Sequence, residues 1–340
     1  MYNMKLHTIC TLTVSSILTI GLNAAAQLTP DMEASATCEA DCFRGNSQAH
    51  DGLGGLQKIP KFQNVNLYED NMGSSVDRNV ETQFSAIGEL EANAVTKDKN
   101  GKDVRSYGSA VMISPCYIMT NHHVAFGDDP TPLPGKDYSM KFRVGATPNA
   151  AFIGNTEATP VKWGNLGMCG ANDWAIMKLK SCVGARADIG WMEGSKMTAR
   201  DLVAQSADVA VGGYAADHKR GDLSIGVGKV KGFDKPANML KYSAPMAHGM
   251  SGGAVIVMED GILKLAGINA VGKHNGAVKE QTVYSKYSDE NANEFLSANE
   301  VLNRADIKEM LDEDKAAVGP NPALGRFARP LPSAAAAASI

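Results

Sequence analysis

From Phe84 onward, apolar and polar residues alternate over short spans separated by turn-forming residues. That is the period-two pattern of half-buried strands, not the three-to-four spacing of helices. Strands are predicted over 86–95, 107–114, 117–120, 140–144, 174–179, 209–211, 223–230, 254–258 and 263–270. Asp98-Lys99-Asn100-Gly101 predicts a hairpin, because an Asn-Gly tip accepts the positive φ that a tight turn needs. No strand–helix–strand period recurs and no glycine-rich phosphate loop follows a strand, so the expected class is all-β, a barrel or a sandwich. The chain ends differently. Over 291–314, Phe295, Leu296, Leu302, Ile307, Met310 and Leu311 fall on one broad helical stripe, with Val301 off it, which predicts one or two helices packed on the β body.

The flanks lack this patterning. Residues 1–26 combine Lys5, a largely apolar span from Ile9 to Leu22, and Ala24-Ala25-Ala26, which predicts an export signal cut before Gln27. The span is too short and too interrupted by Ser and Thr to read as a membrane-crossing helix, and no later window is long and apolar enough. The processed chain is therefore expected to be secreted, extracellular or periplasmic, without membrane association. Residues 27–76 open with Asp31, Glu33, Glu39 and Asp41 and hold a glycine-rich run at 52–55, and are expected to be a pro-segment or an irregular arm. Residues 77–298 are read as the main domain, 299–317 as a C-terminal helix, and 318–340, with its prolines and closing alanines, as a disordered tail.

Composition narrows the function classes. A 340-residue chain that is 44% hydrophobic and 21% charged has ample core, and its net charge of −4 without a basic run argues against a nucleic-acid surface. Cys10 leaves with the signal. Cys38, Cys42, Cys116, Cys169 and Cys182 remain, an odd number that an oxidising compartment would partly pair. Pairs 38–42 and 169–182 are expected. No cysteine pair or nearby histidine completes a zinc set, and Asp128-Asp129 without further spaced oxygens does not make a calcium loop, so neither metal nor cofactor is expected.

The chemistry centres on Gly249-Met250-Ser251-Gly252-Gly253. A serine between glycines sits on a tight turn whose N–H groups are uncovered, and Gly249 and Ser251 are the expected donors to a developing oxyanion. A serine hydroxyl becomes a useful nucleophile only when a neighbouring imidazole takes its proton, and that imidazole needs a carboxylate to fix its tautomer. Histidines stand in Thr120-Asn121-His122-His123-Val124, directly after a predicted strand, and Asp173 opens another in Asn172-Asp173-Trp174-Ala175-Ile176. The order His, Asp, Ser is one of the known triad orders and belongs to double β-barrel enzymes. The rival nucleophile elbow needs acid and histidine after the serine, but only His274 follows Ser251, with no helix and strand units between.

Across residues 76–298 the chain resembles the chymotrypsin-like serine peptidases, and among them the bacterial glutamyl-endopeptidase-like branch. Thr120-Asn121-His122-His123-Val124 is similar to that branch's Thr-x-x-His-Val box, which makes His123 the base. Asp173-Trp174-Ala175-Ile176 matches its acid box. Gly213-Tyr214-Ala215-Ala216-Asp217-His218-Lys219 is similar to its Gly-Tyr-Pro segment, with Ala215 for the proline, and Val76-Asp77-Arg78-Asn79-Val80 resembles the entry of mature members. The resemblance implies a double six-stranded β-barrel with a C-terminal helix, acting as a monomer on protein or peptide substrates. It also implies a primary pocket at Met246, Asn269, Ala270, Val271 and Gly272. Members that cut after glutamate carry threonine and histidine where Met246 and Asn269 stand, so a pocket for uncharged side chains is expected here, with Lys273 the nearby cation. Trypsin-like zymogens use an aspartate just before the serine to receive a newly cut amine. Met250 occupies that position, and cleavage near Ser75-Val76 is the expected processing step. The alternative is a catalytically weak relative kept as a binding or adhesion module. A regulatory HtrA-type protease shares the serine box, but the residues after Ser251 must complete the barrel and helix and leave no room for a peptide-binding domain.

Overall fold

The computed structural model of the chain describes residues 84–94, 96–97, 103–127, 129, 131–144, 154–164, 172–214, 223–234, 239–244, 249–271 and 293–327. Residues 1–83 and 328–340, and the hairpin tip at 98–102, lie outside the described residues. They include the expected signal and the pairing of Cys38 with Cys42.

Twelve strands close into two antiparallel barrels of six, as the double-barrel expectation requires. The first contains β1 (Ile87–Ala92), β4 (Tyr107–Met112), β5 (Tyr117–Thr120), β6 (Met140–Val144), β7 (Gly154–Trp163) and β8 (Ala175–Leu179), in the order β1-β4-β5-β8-β7-β6. The second contains β9 (Asp208–Tyr214), β10 (Leu223–Asp234), β11 (Met239–Tyr242), β12 (Ala254–Glu259), β13 (Ile262–Val271) and β14 (Asn293–Ser297), in the order β10-β11-β14-β13-β12-β9. A two-stranded ribbon, β2 (Thr96–Lys97) with β3 (Asp103–Val104), flanks the predicted Asn-Gly tip. Closure leaves no unpaired edge between these strands, which is how an antiparallel sheet protects its backbone groups.

Burial follows the pleat where a strand has one wet face. In β6, Met140, Phe142 and Val144 are buried while Lys141 and Arg143 are less so. In β1, by contrast, Ile87 through Glu91 are all buried, because its outer face meets the second barrel. Ile87 reaches the backbone of β9 there, and its carbonyl accepts from the Tyr214 hydroxyl at 3.3 Å. One apolar cluster accordingly runs through the first barrel and across this contact to Tyr214, Ile225 and Ile256, while a separate cluster built on Val209, Val211, Leu240, Val255 and Phe295 fills the second barrel.

Several features depart from the sequence reading. β7 and the four-residue β11 are absent from the predicted strands; Gly154–Trp163 alternates small and polar residues around Pro160, where its pairing with β8 is irregular. The start of the predicted helical stripe is a strand: Phe295 pairs with Leu240 and Leu296 with Ile268, which closes the second barrel, and helices follow at Ala298–Leu302 and Ala305–Val318. The described part of the tail packs on the body: Ala323 and Phe327 are buried and the Asn321 amide donates to Trp191 O at 2.6 Å. Lastly, Cys182 is bonded to Cys116 and not to Cys169, which lies outside the described residues. The reason is topological: β5 pairs antiparallel with β8, and Leu179 N–H donates to Cys116 O at 2.8 Å, so the turn before β5 meets the segment after β8.

The disulfide joins residues 66 apart in sequence, a loop long enough for the bond to restrict the unfolded chain substantially. Replacing both cysteines by serine is expected to lower stability by about 2–4 kcal/mol. Denaturant unfolding checks this as a lower midpoint; an unchanged midpoint would mean the corner is held by its other contacts alone.

Candidate active site

His123 sits in the short helix His122–Phe126, which begins at Asn121 directly after β5 and ends at Gly127, where φ is +62°. The Asn121 side chain donates to Asp173 O at 2.9 Å, tying this helix start to the segment before β8. Asp173 is fully buried, and both its oxygens turn to one residue. Oδ1 accepts from the His123 backbone N–H at 3.0 Å, and Oδ2 lies 2.8 Å from His123 Nδ1. A buried carboxylate without partners is costly, and here each oxygen is engaged. The pairing falls to His123 and not to His122, whose ring is buried and packs on Phe126 with centroids 4.6 Å apart.

Two influences oppose each other at the His123 ring. Burial disfavours its charged form, but the charge of Asp173 and the hydrogen bond to it outweigh that, so the pKa is raised above 6.5. The Nδ1 contact directs a neutral ring's proton to Nδ1, and Nε2 is left as the basic nitrogen.

Ser251 lies on the turn that leads into β12. Gly249 and Gly252 have φ of +88° and +78°, a region that residues with a Cβ rarely enter. A Cβ on Gly252 would also fall 2.2 Å from both Ser109 O and Thr120 Oγ1 and 3.1 Å from Asn121 N, so the turn lies directly against the first barrel at the start of the histidine helix. Ser109, in β4, makes that contact specific. Its N–H donates to Ser251 O at 2.8 Å, its hydroxyl donates to Gly249 O at 2.7 Å, and the hydroxyl accepts from Tyr214 N–H at 2.8 Å. The carbonyls on either side of the Met250-Ser251 step thus face the first barrel. Among the described residues, the N–H of Ser251 donates to no protein acceptor.

The structure therefore brings His123 and Asp173 into direct contact and seats the Ser251 turn beside them, with Val124 and Ser251 O both about 3 Å from the Gly108 Cβ position. Ala270 is buried beside the turn, in β13. Asn269 is fully buried, and its side chain is engaged with Tyr242 and Met250. Of Val271 only the backbone is described, while Met246, Gly272 and Lys273 lie outside the described residues. The contributions of Ser109, Asn121 and Tyr242 are not legible in the sequence, since nothing in the local pattern separates them from ordinary strand and cap residues. As to metals, Cys116, Cys182 and Asp314 come close enough to share an ion, but the two sulfurs are spent in the disulfide.

Residues 108–264 match the family model described as a trypsin-like peptidase domain. Among solved structures, the chain is similar to a Glu endopeptidase in complex with MPD, at 19% identity and a TM-score of 0.46, over 68% of this chain and 91% of that one. It is also similar to the thermostable serine protease AL20 from an extremophilic microorganism, at 13% identity and a TM-score of 0.47, over 64% of this chain and 92% of that one. No curated protein matches the chain.

The raised His123 pKa has a consequence for stability. Its contribution is fully present below 6.5, the ordinary imidazole value, and is lost as pH rises through the folded-state value. The stability gap between the wild-type protein and Asp173→Asn should therefore narrow as pH rises through that range. In imidazole NMR titrations the His123 midpoint should lie above 6.5 and fall in Asp173→Asn. A gap that widens with pH, or a midpoint unmoved by the substitution, would contradict the pairing.

Proposed function

We propose that this chain, whose residues 108–264 match the trypsin-like peptidase model, is an exported serine endopeptidase that cuts protein or peptide substrates through an acyl-enzyme. The observation that carries this reading is the Asp173–His123 pair, at 2.8 and 3.0 Å, beside a serine turn held in left-handed backbone by its own glycines.

In this reading Ser251 Oγ attacks the scissile carbonyl while His123 Nε2 takes its proton. Asp173 keeps the other ring proton on Nδ1 and stabilises the imidazolium that forms. The N–H groups of Ser251 and Gly249 receive the negative oxygen, at a turn whose dipoles are fixed before substrate arrives. His123 then gives its proton to the leaving amine, and a water repeats the sequence to release the acyl group. The raised imidazole pKa makes His123 a stronger base and places the acidic limb of activity above the ordinary imidazole value.

The same reading assigns residues 1–26 to export and 27–76 to a segment removed near Ser75-Val76, with the mature chain a monomer. The Cys116–Cys182 disulfide supports an oxidising compartment, and no helix among the described residues is long and apolar enough to cross a membrane. Substrate choice depends on what the pocket positions lack. Neither Met246 nor Asn269 offers a cation, so a glutamate side chain would be desolvated there without a partner.

Hydrolysis of unfolded casein and labelling by a fluorophosphonate should both occur with the mature protein and vanish in Ser251→Ala, whose kcat should fall roughly a millionfold. Labelling without proteolysis would indicate a narrow substrate; neither activity in processed protein would favour a binding module. Peptides differing only in the residue before the cut should be hydrolysed best when that residue is uncharged, and strong selectivity for glutamate would refute the pocket argument.

A further inference from the structure

Asn269 lies in β13 with no exposed surface, and its polar groups converge on two places. Its backbone N–H donates to Gly253 O and its carbonyl accepts from Gly252 N–H, both at 2.8 Å. Its side-chain Nδ2 donates to Met250 O at 3.1 Å, and its Oδ1 accepts from the Tyr242 hydroxyl. Gly253 N–H also donates to Met250 O, at 2.9 Å.

Met250 C=O and Ser251 N–H belong to the same peptide unit. That unit is planar and trans, so the two groups point in opposite directions, and fixing one fixes the other. Tyr242 matters because an amide side chain can be turned either way round. A hydroxyl donating from one side requires the amide oxygen there, which leaves Nδ2 to face Met250. Were the Met250–Ser251 peptide to rotate, a carbonyl oxygen would turn toward the place where negative charge develops.

We infer that Asn269, itself oriented by Tyr242, is a positioning residue for acyl transfer: it holds the Met250–Ser251 peptide so that Ser251 N–H stays aimed at the oxyanion. The inference rests on the serine-peptidase reading of the preceding subsection and assigns Asn269 a task within it other than lining the pocket. Two donors on one carbonyl also polarise the peptide and strengthen the opposite N–H as a donor.

The test is steady-state kinetics of the wild-type protein, Asn269→Ala and Tyr242→Phe on peptides that differ only in the residue before the cut. Affinities for a peptide boronate, which mimics the tetrahedral state, and for the cleaved peptide product are measured alongside, with thermal melts to monitor folding. In Asn269→Ala, kcat should fall about tenfold or more, since removing an oxyanion donor outright costs more than misaiming it. KM should hardly change, and the factor should be the same for every peptide. Boronate affinity should fall with kcat while product affinity stays. Tyr242→Phe keeps the ring and should give a smaller loss of the same kind. If Asn269→Ala does not fold, Tyr242→Phe decides: a uniform kcat loss supports the inference and unchanged kinetics overturn it. A changed order of preference among the peptides with kcat retained would make Asn269 a pocket residue and overturn it too. A wild-type protein that neither hydrolyses peptides nor takes the fluorophosphonate overturns the underlying reading and this inference with it, an outcome distinct from an active wild type with indifferent variants.

Discussion

The contact on which the site depends most is the one Ser109 makes between the barrels. A single buried residue in β4 of the first barrel donates to the carbonyls of Gly249 and Ser251 and accepts from Tyr214 of β9. Its own carbonyl accepts from Thr120 Oγ1 at 2.7 Å, one residue before the helix start that carries the histidine. A hydroxyl has one proton to give, and here it goes to the serine turn. The turn belongs to the second barrel and the histidine to the first, so without such a joint their separation would be set only by apolar packing. Apolar contacts are strong in sum but not directional. The hydrogen bonds of Ser109 supply direction.

Close approach at this joint explains the glycine of β9 that meets it. A Cβ on Gly213 would lie 2.9 Å from both Met250 Cα and Ser109 Oγ, a gap that no side chain fills without moving the turn. Two sheets normally keep their backbones well apart. Here the strands give up side-chain volume so that backbone groups can bond across. The cost in packing is confined to a few residues, because Ile87, Tyr214, Ile225 and Ile256 continue the apolar contact around them.

Much of this is legible in the sequence, and the exceptions have definite causes. Runs such as Tyr107–Met112 and Tyr117–Thr120 are apolar enough to announce strands, and the boxes that hold His123 and Asp173, 50 residues apart in sequence, are brought into contact by the fold. β7 is hidden because its buried positions are filled by Gly154, Thr156 and Ala158, which carry little hydrophobic signal. β14 reads as helix because Phe295 and Leu296 fit the stripe of the helices after it, and only barrel closure distinguishes the two. The capping box of Thr198 and Asp201, which starts the helix Ala199–Ala204, is a readable signal that hydrophobic periodicity alone passes over. Ser109 is not readable at all. A serine in an apolar strand looks like any polar position, and its importance arises from residues 140 positions away. Asn269 shows the complementary problem: the resemblance locates the position, but the side chain's partners decide its role.

The segment around Asp173 is also tied to the C-terminal helix. Trp174, the residue after Asp173, is buried with the Arg304 guanidinium 5.4 Å from its ring centroid, and Lys162 of β7 reaches Asp306 at 3.0 Å. Farther along the same helix, Asp314 accepts from Ser114 Oγ at 2.7 Å and Cys116 N–H at 2.9 Å, beside the disulfide, and Lys315 bonds Glu193 in the segment leading to the second barrel. Surface ion pairs of this kind contribute little singly. Their significance is geometric: the helix Ala305–Val318 makes contacts both near the segment before β8 and at the connection between the barrels, so displacement of either would break contacts at the other. A buried carboxylate that presents both oxygens to one histidine tolerates little displacement, and Arg304, at the start of the C-terminal helix, packs over Trp174, the next residue in the chain.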